Sequence, residues 1–362
     1  MTASVETLRE RVEATRAKSK IPALGAAIVH ADEREMPTWV AGERVRGRGD
    51  PATIDDLWHI GSCAKAMTGA LFARLVERGE AAWEARLPEL FPDLTGIDPA
   101  WRETRIDQVL THRAGLPANL DRSRLRAAFQ DERAVVDQRT AATSDALARP
   151  PAKPGSFRYS NLSYIVAGAA IERILGRPWE KAVIDDVLAP LGVTSVGFGA
   201  PTGAQPWGHR SKLPGIGRGK PVDPGSPDHP ALRADNPPVM SPAGRIHLTL
   251  EDWARFIRIF LTGGGTLLSS ASISKLTTPP AGKGPKQGIG WAIPPGKLSR
   301  EVAVGQQGSN TAWVATALID SSWDRAALVV CNDGRGRMLA VTGHLAAGLL
   351  AERGGPQGSV GR

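Results

Sequence analysis

Apolar positions recur at helical spacing early in the chain. Val5, Leu8 and Val12 share one face of a polar stretch, which predicts a helix over 5–18. The compact apolar run 22–30 then reads as a buried strand. Residues 31–35 read as a turn, and 38–42 as a second strand, so a hairpin opens the chain. A long apolar helix is predicted over 66–76 and ends at Gly79, a residue suited to the position just past a helix.

The middle of the chain alternates between helix and loop. A short helix is expected over 106–112, broken by the run from Arg113 to Pro117. A second long apolar helix covers 162–175 and stops at Gly176. The next reads from 250 to 261, with Thr249 and Asp252 set as a capping-box-like pair. Residues 201–242 are dense in proline and glycine. That length of irregular chain suits either a cover over a cleft or a packed surface crossover.

The last third changes character. Strands are predicted at 302–305, 313–319 and 326–331, then a helix over 339–350. The short connections make neighbouring strands antiparallel. Strands at both chain ends with helices between them predict an α+β protein. One antiparallel sheet is assembled from residues 1–60 and 285–352, and residues 61–284 form a mainly helical lobe. The glycine-rich residues 353–362 are expected to be a flexible tail.

Composition narrows the class. The chain has 362 residues, 41% of them hydrophobic and 23% charged, as in an ordinary globular protein. No apolar run approaches the roughly 20 residues of a membrane span. The polar N-terminus lacks a signal-peptide core, so a cytoplasmic protein is the default expectation, or a periplasmic or secreted one if a leader was removed. The net charge of +8 is spread along the chain. It reads as a solvated arginine-rich surface rather than a nucleic-acid site. Cys63 and Cys331 read as reduced core residues, the seven histidines are scattered, and neither a metal nor a cofactor is expected.

The candidate chemistry begins at Ser62. Ser62-Cys63-Ala64-Lys65 opens the helix 66–76, and a three-residue offset puts hydroxyl and amine on one helix face. A helix N-terminus favours developing negative charge, and a lysine one turn along can accept or relay the hydroxyl proton. Spacing alone is weak evidence, because Ser272-Ile273-Ser274-Lys275 also fits it. That second copy reads as part of a polar surface helix over 269–276. Tyr159-Ser160-Asn161 offers a phenol and an amide, and a phenol beside an ammonium can serve as a base. Tyr164 reads as core. Gln306-Gln307-Gly308-Ser309-Asn310 lies on or beside a strand, where glycine permits close approach to the backbone. The N–H groups of Ser62 and Ser309 could form an oxyanion hole.

These three segments, in this order, resemble the serine β-lactamase and penicillin-binding-protein superfamily. The likeness is strongest to the branch with class C β-lactamases, D-alanyl-D-alanine carboxypeptidases and β-lactamase-like esterases, and it runs from about 21 to 350. Secondary likenesses are 110–117 (Leu-Thr-His-Arg-Ala-Gly-Leu-Pro), 241–244 (Ser-Pro-Ala-Gly) and 308–310 (Gly-Ser-Asn). Tyr-Ser-Asn stands where class A enzymes have Ser-Asp-Asn. The resemblance implies a β-lactamase/transpeptidase-like fold and a serine hydrolase acting through an acyl-enzyme on a small acyl substrate. It makes Ser62 the nucleophile, Lys65 its proton partner and Tyr159 the base or relay. Asn161 would orient lysine and substrate, and Ser309 would supply the second oxyanion N–H. One departure stands out: the third motif usually begins with lysine or histidine, and here Gln306 takes that place before Gly308. Glutamine brings no charge for a substrate carboxylate, so weak recognition of anionic β-lactams is expected. The competing reading is a sensor-like protein that is acylated but does not turn over.

Overall fold

The computed structural model describes residues 3–32, 36–211, 219–225 and 234–352. The expected tail at 353–362 lies outside them, as do parts of the turn at 31–35 and of the segment 201–242.

The chain opens with helix α1 (Ala3–Ser19), strands β1 (Ala23–His30) and β2 (Thr38–Gly42), and the two-residue strand β3 (Trp58–His59). Helix α2 (Ala64–Glu77) follows. Four short or medium helices come next: α3 (Leu87–Leu90), α4 (Ile106–Leu110), α5 (Arg122–Ala128) and α6 (Val135–Leu147). Then come α7 (Asn161–Leu175), α8 (Trp179–Val183) and strands β4 (Gly197–Phe198), β5 (His209–Arg210) and β6 (Lys220–Pro221). Helix α9 (Ser241–Gly244), β7 (Ile246–Leu248), α10 (Leu250–Leu261) and α11 (Ser270–Thr277) lead to β8 (Val302–Ser309), β9 (Val314–Asp320), β10 (Arg325–Cys331) and α12 (Met338–Ala351). Among the described residues no helix is long and apolar enough to cross a membrane.

The main sheet runs β2-β1-β10-β9-β8, antiparallel throughout. β1 from the start of the chain pairs with β10 from its end, Leu24 opposite Cys331 and His30 opposite Arg325. Both faces are covered, which explains why β10 reads as unbroken apolar sequence. Ala327, Val329 and Cys331 pack with Leu8 and Val12 of α1 and with Leu345 and Leu349 of α12. The alternate residues Ala326, Leu328 and Val330 join the main core. On that inner face α10 buries Trp253, Phe256, Ile257 and Phe260, each contributing about 2–3 kcal/mol of apolar burial. Arg258 of α10 also donates to the carbonyl of His30 (3.2 Å).

Helix α2 is buried along almost its whole length and forms the axis of the core. Gly79 sits just past it at φ +72°, the left-handed cap expected there. Gly176 closes α7 in the same way at φ +63°. Three local expectations need correction. Helix α4 stops at Leu110 rather than 112, because His112 takes a left-handed conformation at φ +61°. β8 continues to Ser309 rather than ending at Gly305: pairing with β9 carries it through the polar Gln306 and Gln307. Thr249 does accept from Asp252 N (3.2 Å), but the Asp252 carboxylate turns away to the backbone of Thr194 and Ser195, so the capping box is only half built. The small sheet β3-β7-β4 was not foreseen, its strands being too short to carry an alternation pattern.

Candidate active site

Ser62 lies in a single 3-10 turn, Gly61–Cys63, at the entry to α2. β3 delivers the chain into this turn, and Gly61 makes it with φ +52°. The end of β8 packs directly on the turn. A Cβ on Gly308 would fall 2.0 Å from Ile60 O and 2.6 Å from Ser62 N, so only glycine allows this approach. On the other side, a Cβ on Gly61 would fall 2.5 Å from Ser309 N. The backbones of Ser62 and Ser309 are thereby held side by side.

Lys65, one turn into α2, is 2% exposed. Its Nζ donates to Ser62 Oγ (3.1 Å), to Asn161 Oδ1 (2.8 Å) and to the carbonyl of Ala243 in α9. Three acceptors use the three ammonium protons. Asn161 is the first residue of α7. Ser160 caps that helix by accepting from Ser163 N (3.0 Å), and Asn161 Nδ2 donates to Asn119 Oδ1 (2.7 Å). Tyr159, just before the cap, reaches over the lysine: its hydroxyl donates to Ser62 Oγ at 2.8 Å, and Lys65 Nζ lies 5.1 Å from its ring centre. Tyr164 is core, as expected. Its hydroxyl donates to Leu110 O (2.9 Å), and burial pushes its pKa above the usual tyrosine value.

The loop carrying Tyr159 rests on His112. The imidazole lies under the tyrosine ring with centres 4.5 Å apart, its Nδ1 accepts from Ser160 N (3.1 Å), and its carbonyl accepts from Arg158 N. Burial, helped by the charge on Lys65, lowers the His112 pKa to about 3, so the ring stays neutral beside the ammonium. His112 and Ala243 belong to the two secondary likenesses at 110–117 and 241–244, the only sequence mark of their part here. Asn119 carried no mark.

The second Ser-x-x-Lys is structural. Ser272 Oγ donates to Glu77 (2.6 Å), and Lys275 pairs with Asp107 (3.3 Å) at the start of α4. The cysteines are free and buried, and burial raises the thiol of Cys63 well above its ordinary value.

Ser62 stands where two hollows meet. One, of about 460 Å³, is polar and lined by Asn119, Asn161, Arg210, Asp235 and Asn310. The described parts of the segment 201–242 therefore line the cleft through Arg210 and Asp235, as well as packing on the sheet. The other hollow, of about 580 Å³, contains Lys65, Tyr159 and Gln306 and widens into an apolar arm of Ile293, Leu298, Leu318, Leu339 and Ala347. Gln306 is 6% exposed, and neither its Oε1 nor its Nε2 has a hydrogen-bond partner. Gln307 lines the same hollow, but its Nε2 is tied down, donating to Thr316 Oγ1 and Leu339 O.

An antiparallel sheet backed by a helical region, with Ser, Lys and Tyr at their junction, is the β-lactamase/transpeptidase-like fold. The structure superposes on D-amino acid amidase from Ochrobactrum anthropi SV3 with a TM-score of 0.77, at 18% identity, over 97% of this chain and 98% of that one. It superposes on a class C beta lactamase from Rhodobacter sphaeroides with a TM-score of 0.72, at 20% identity, over 97% and 99%. A model of the Beta-lactamase family matches residues 8–351, and the chain belongs to that family of serine hydrolases. Among relatives, penicillin-binding protein 4 of Amycolatopsis lactamdurans is 28% identical over 304 residues, 79% of this chain and 74% of its own length. Esterase EstB of Burkholderia gladioli is 33% identical over 167 residues, 42% and 41% of the two chains.

Proposed function

We propose that this protein hydrolyses small neutral esters or amides through an acyl-enzyme on Ser62. The observation that carries the reading is the convergence of Lys65 Nζ and Tyr159 OH on one Ser62 Oγ, at 3.1 and 2.8 Å. In the reactive form Tyr159 is a phenolate beside the Lys65 ammonium; Ser62 Oγ attacks the acyl carbonyl and hands its proton to the Tyr159 oxygen. The tetrahedral oxyanion is stabilised by the N–H groups of Ser62 and Ser309, each such donor being worth roughly 3 kcal/mol. Collapse breaks the bond to the leaving group, which takes the proton back. Water, deprotonated by the same pair, then releases the acid and restores Ser62. Asn161 holds the lysine in place.

Gln306 supports the choice of a neutral substrate. It occupies the wall of the reaction cleft with an uncharged amide, and a substrate carboxylate there would find no cation on that residue. The apolar arm beside it suits an uncharged hydrocarbon group. That a relative is an esterase accords with this reading. The test is steady-state hydrolysis of p-nitrophenyl acetate against nitrocefin, with Ser62→Ala beside the wild type. Efficient ester turnover with poor nitrocefin turnover, both lost in the variant, supports the proposal. Rapid nitrocefin turnover would replace the neutral substrate with a β-lactam, and a permanent adduct without product would favour the sensor-like alternative.

A further inference from the structure

The two backbone N–H groups assigned to the oxyanion hole come from distant parts of the chain, and one buried carboxylate touches a side chain flanking each. His59 precedes the Ser62 turn, with its side chain fully buried. Its Nδ1 accepts from Gly61 N (3.1 Å), which leaves the ring proton on Nε2. Nε2 lies 3.0 Å from Asp235 Oδ1, in contact with the carboxylate but without an aligned hydrogen bond. The same Oδ1 accepts from Asn310 Nδ2 (3.0 Å). Asn310 directly follows Ser309, and its own Oδ1 accepts from the backbone of Ala312 and Trp313, which pins the end of β8 to the start of β9. Trp313 then stacks on His59, ring centres 5.7 Å apart.

We propose that Asp235, through His59 on one side and Asn310 on the other, is a clamp that sets the spacing of the Ser62 and Ser309 N–H groups. Asp235 and His59 are positioning residues, neither reaching the reacting atoms through its own bonds. The reading rests on the acyl-enzyme function proposed above. Misplacing a stabilising group by about 1 Å costs on the order of a hundredfold in rate, so two donors carried on separate segments need a rigid cross-link. The contact of Gly308 with the turn limits how closely the two segments approach, and the clamp sets their relative orientation. Arg245, with Nε 3.3 Å from Asp235 Oδ2, holds the carboxylate from the far side. Burial alone pushes the Asp235 carboxyl up, but His59, Arg245 and Asn310 outweigh it and hold it below the usual range, as an ionised acceptor.

The experiment uses p-nitrophenyl acetate kinetics, inhibition by phenylboronic acid and thermal unfolding on Asp235→Ala, His59→Asn, His59→Gln and Ser62→Ala. Asparagine at 59 keeps an acceptor for Gly61 but loses reach to Asp235. Glutamine keeps reach to Asp235 but loses the acceptor. Because the oxyanion hole serves acylation and deacylation alike, kcat should fall about 10–100-fold in Asp235→Ala and in both His59 variants, with KM nearly unchanged. The inhibition constant of phenylboronic acid, whose tetrahedral adduct puts an oxygen between the two N–H groups, should rise in parallel. Full kcat and unchanged boronate inhibition in Asp235→Ala or His59→Asn, with Ser62→Ala inactive, would overturn the clamp alone. A kcat loss accounted for entirely by the unfolded fraction would also overturn it. Turnover surviving in Ser62→Ala would overturn the acyl-enzyme reading beneath it.

Discussion

The hydroxyl of Tyr159 lies 2.8 Å from Ser62 Oγ, although the two residues are 97 positions apart. The cap on α7 makes this contact possible: Ser160 ends the extended approach, and Asn161 begins the helix that meets Lys65. Removing the phenolic oxygen leaves packing on His112 intact and takes away only the proton path. Tyr159→Phe should therefore lower kcat by about 10²–10⁴-fold while the thermal midpoint stays within a few degrees. Burst kinetics with p-nitrophenyl acetate check this, and wild-type turnover in Tyr159→Phe would remove it from the mechanism.

In the proposed function Gln306 sets the charge preference of the cleft. Gln306→Lys places a cation where the amide stands, and should raise the ratio of nitrocefin to p-nitrophenyl acetate kcat/KM by about tenfold, or roughly 1.4 kcal/mol of differential binding. Competition between the two substrates reads the ratio directly. An unchanged ratio would show that residue 306 does not meet the substrate's acid group.

Stability has a different weak point. Arg139 of α6 is fully buried and forks onto Glu172 of α7 and Glu180 of α8, with contacts of 2.6 Å to each. Arg139→Ala leaves Glu172 buried without its cation, and should cost about 3–5 kcal/mol. Urea denaturation measures it. A loss under 1 kcal/mol would mean that water reaches the carboxylates.

Three imidazoles, the buried His112 and His209 and the partly buried His247, shape the pH profile of stability, burial lowering each. Burial lowers His112 to about 3 and His209 to about 4, whereas both titrate near 6.5 in an unfolded chain. Below about pH 6.5 the unfolded chain binds protons that the folded one refuses. The stability is complete above that value and is lost as pH falls toward the folded values. Unfolding free energy should drop between pH 7 and pH 5, His112 and His209 each contributing a slope approaching about 1.4 kcal/mol per pH unit. His209→Gln should flatten the drop by as much as one proton. A level profile in the wild type would contradict the burial argument.

Much of this was legible in the sequence where one residue type admits one use. Gly79 and Gly176 end their helices as expected, the apolar run of β10 reads as a strand, and motif order singles out Ser62, Lys65, Tyr159 and Asn161, which the structure brings together. What stayed hidden depends on long-range partners. Ser272-x-x-Lys275 has the same spacing as Ser62-x-x-Lys65, and only Glu77 and Asp107 reveal it as structural. His59 and Asp235 show no shared pattern, because their contact is made by folding across the chain. Strand β8 ran past its expected end because ladder pairing with β9, rather than apolar alternation, holds Gln306 and Gln307 in it.

The most direct test of the central claim is intact-protein mass spectrometry during p-nitrophenyl acetate turnover, with rapid acid quench. The account predicts a transient gain of one acetyl group on wild-type protein, mapped by peptide analysis to Ser62, that disappears when substrate is exhausted and never forms in Ser62→Ala. Sustained turnover by Ser62→Ala, or a wild-type acyl group mapped to another residue, would contradict it.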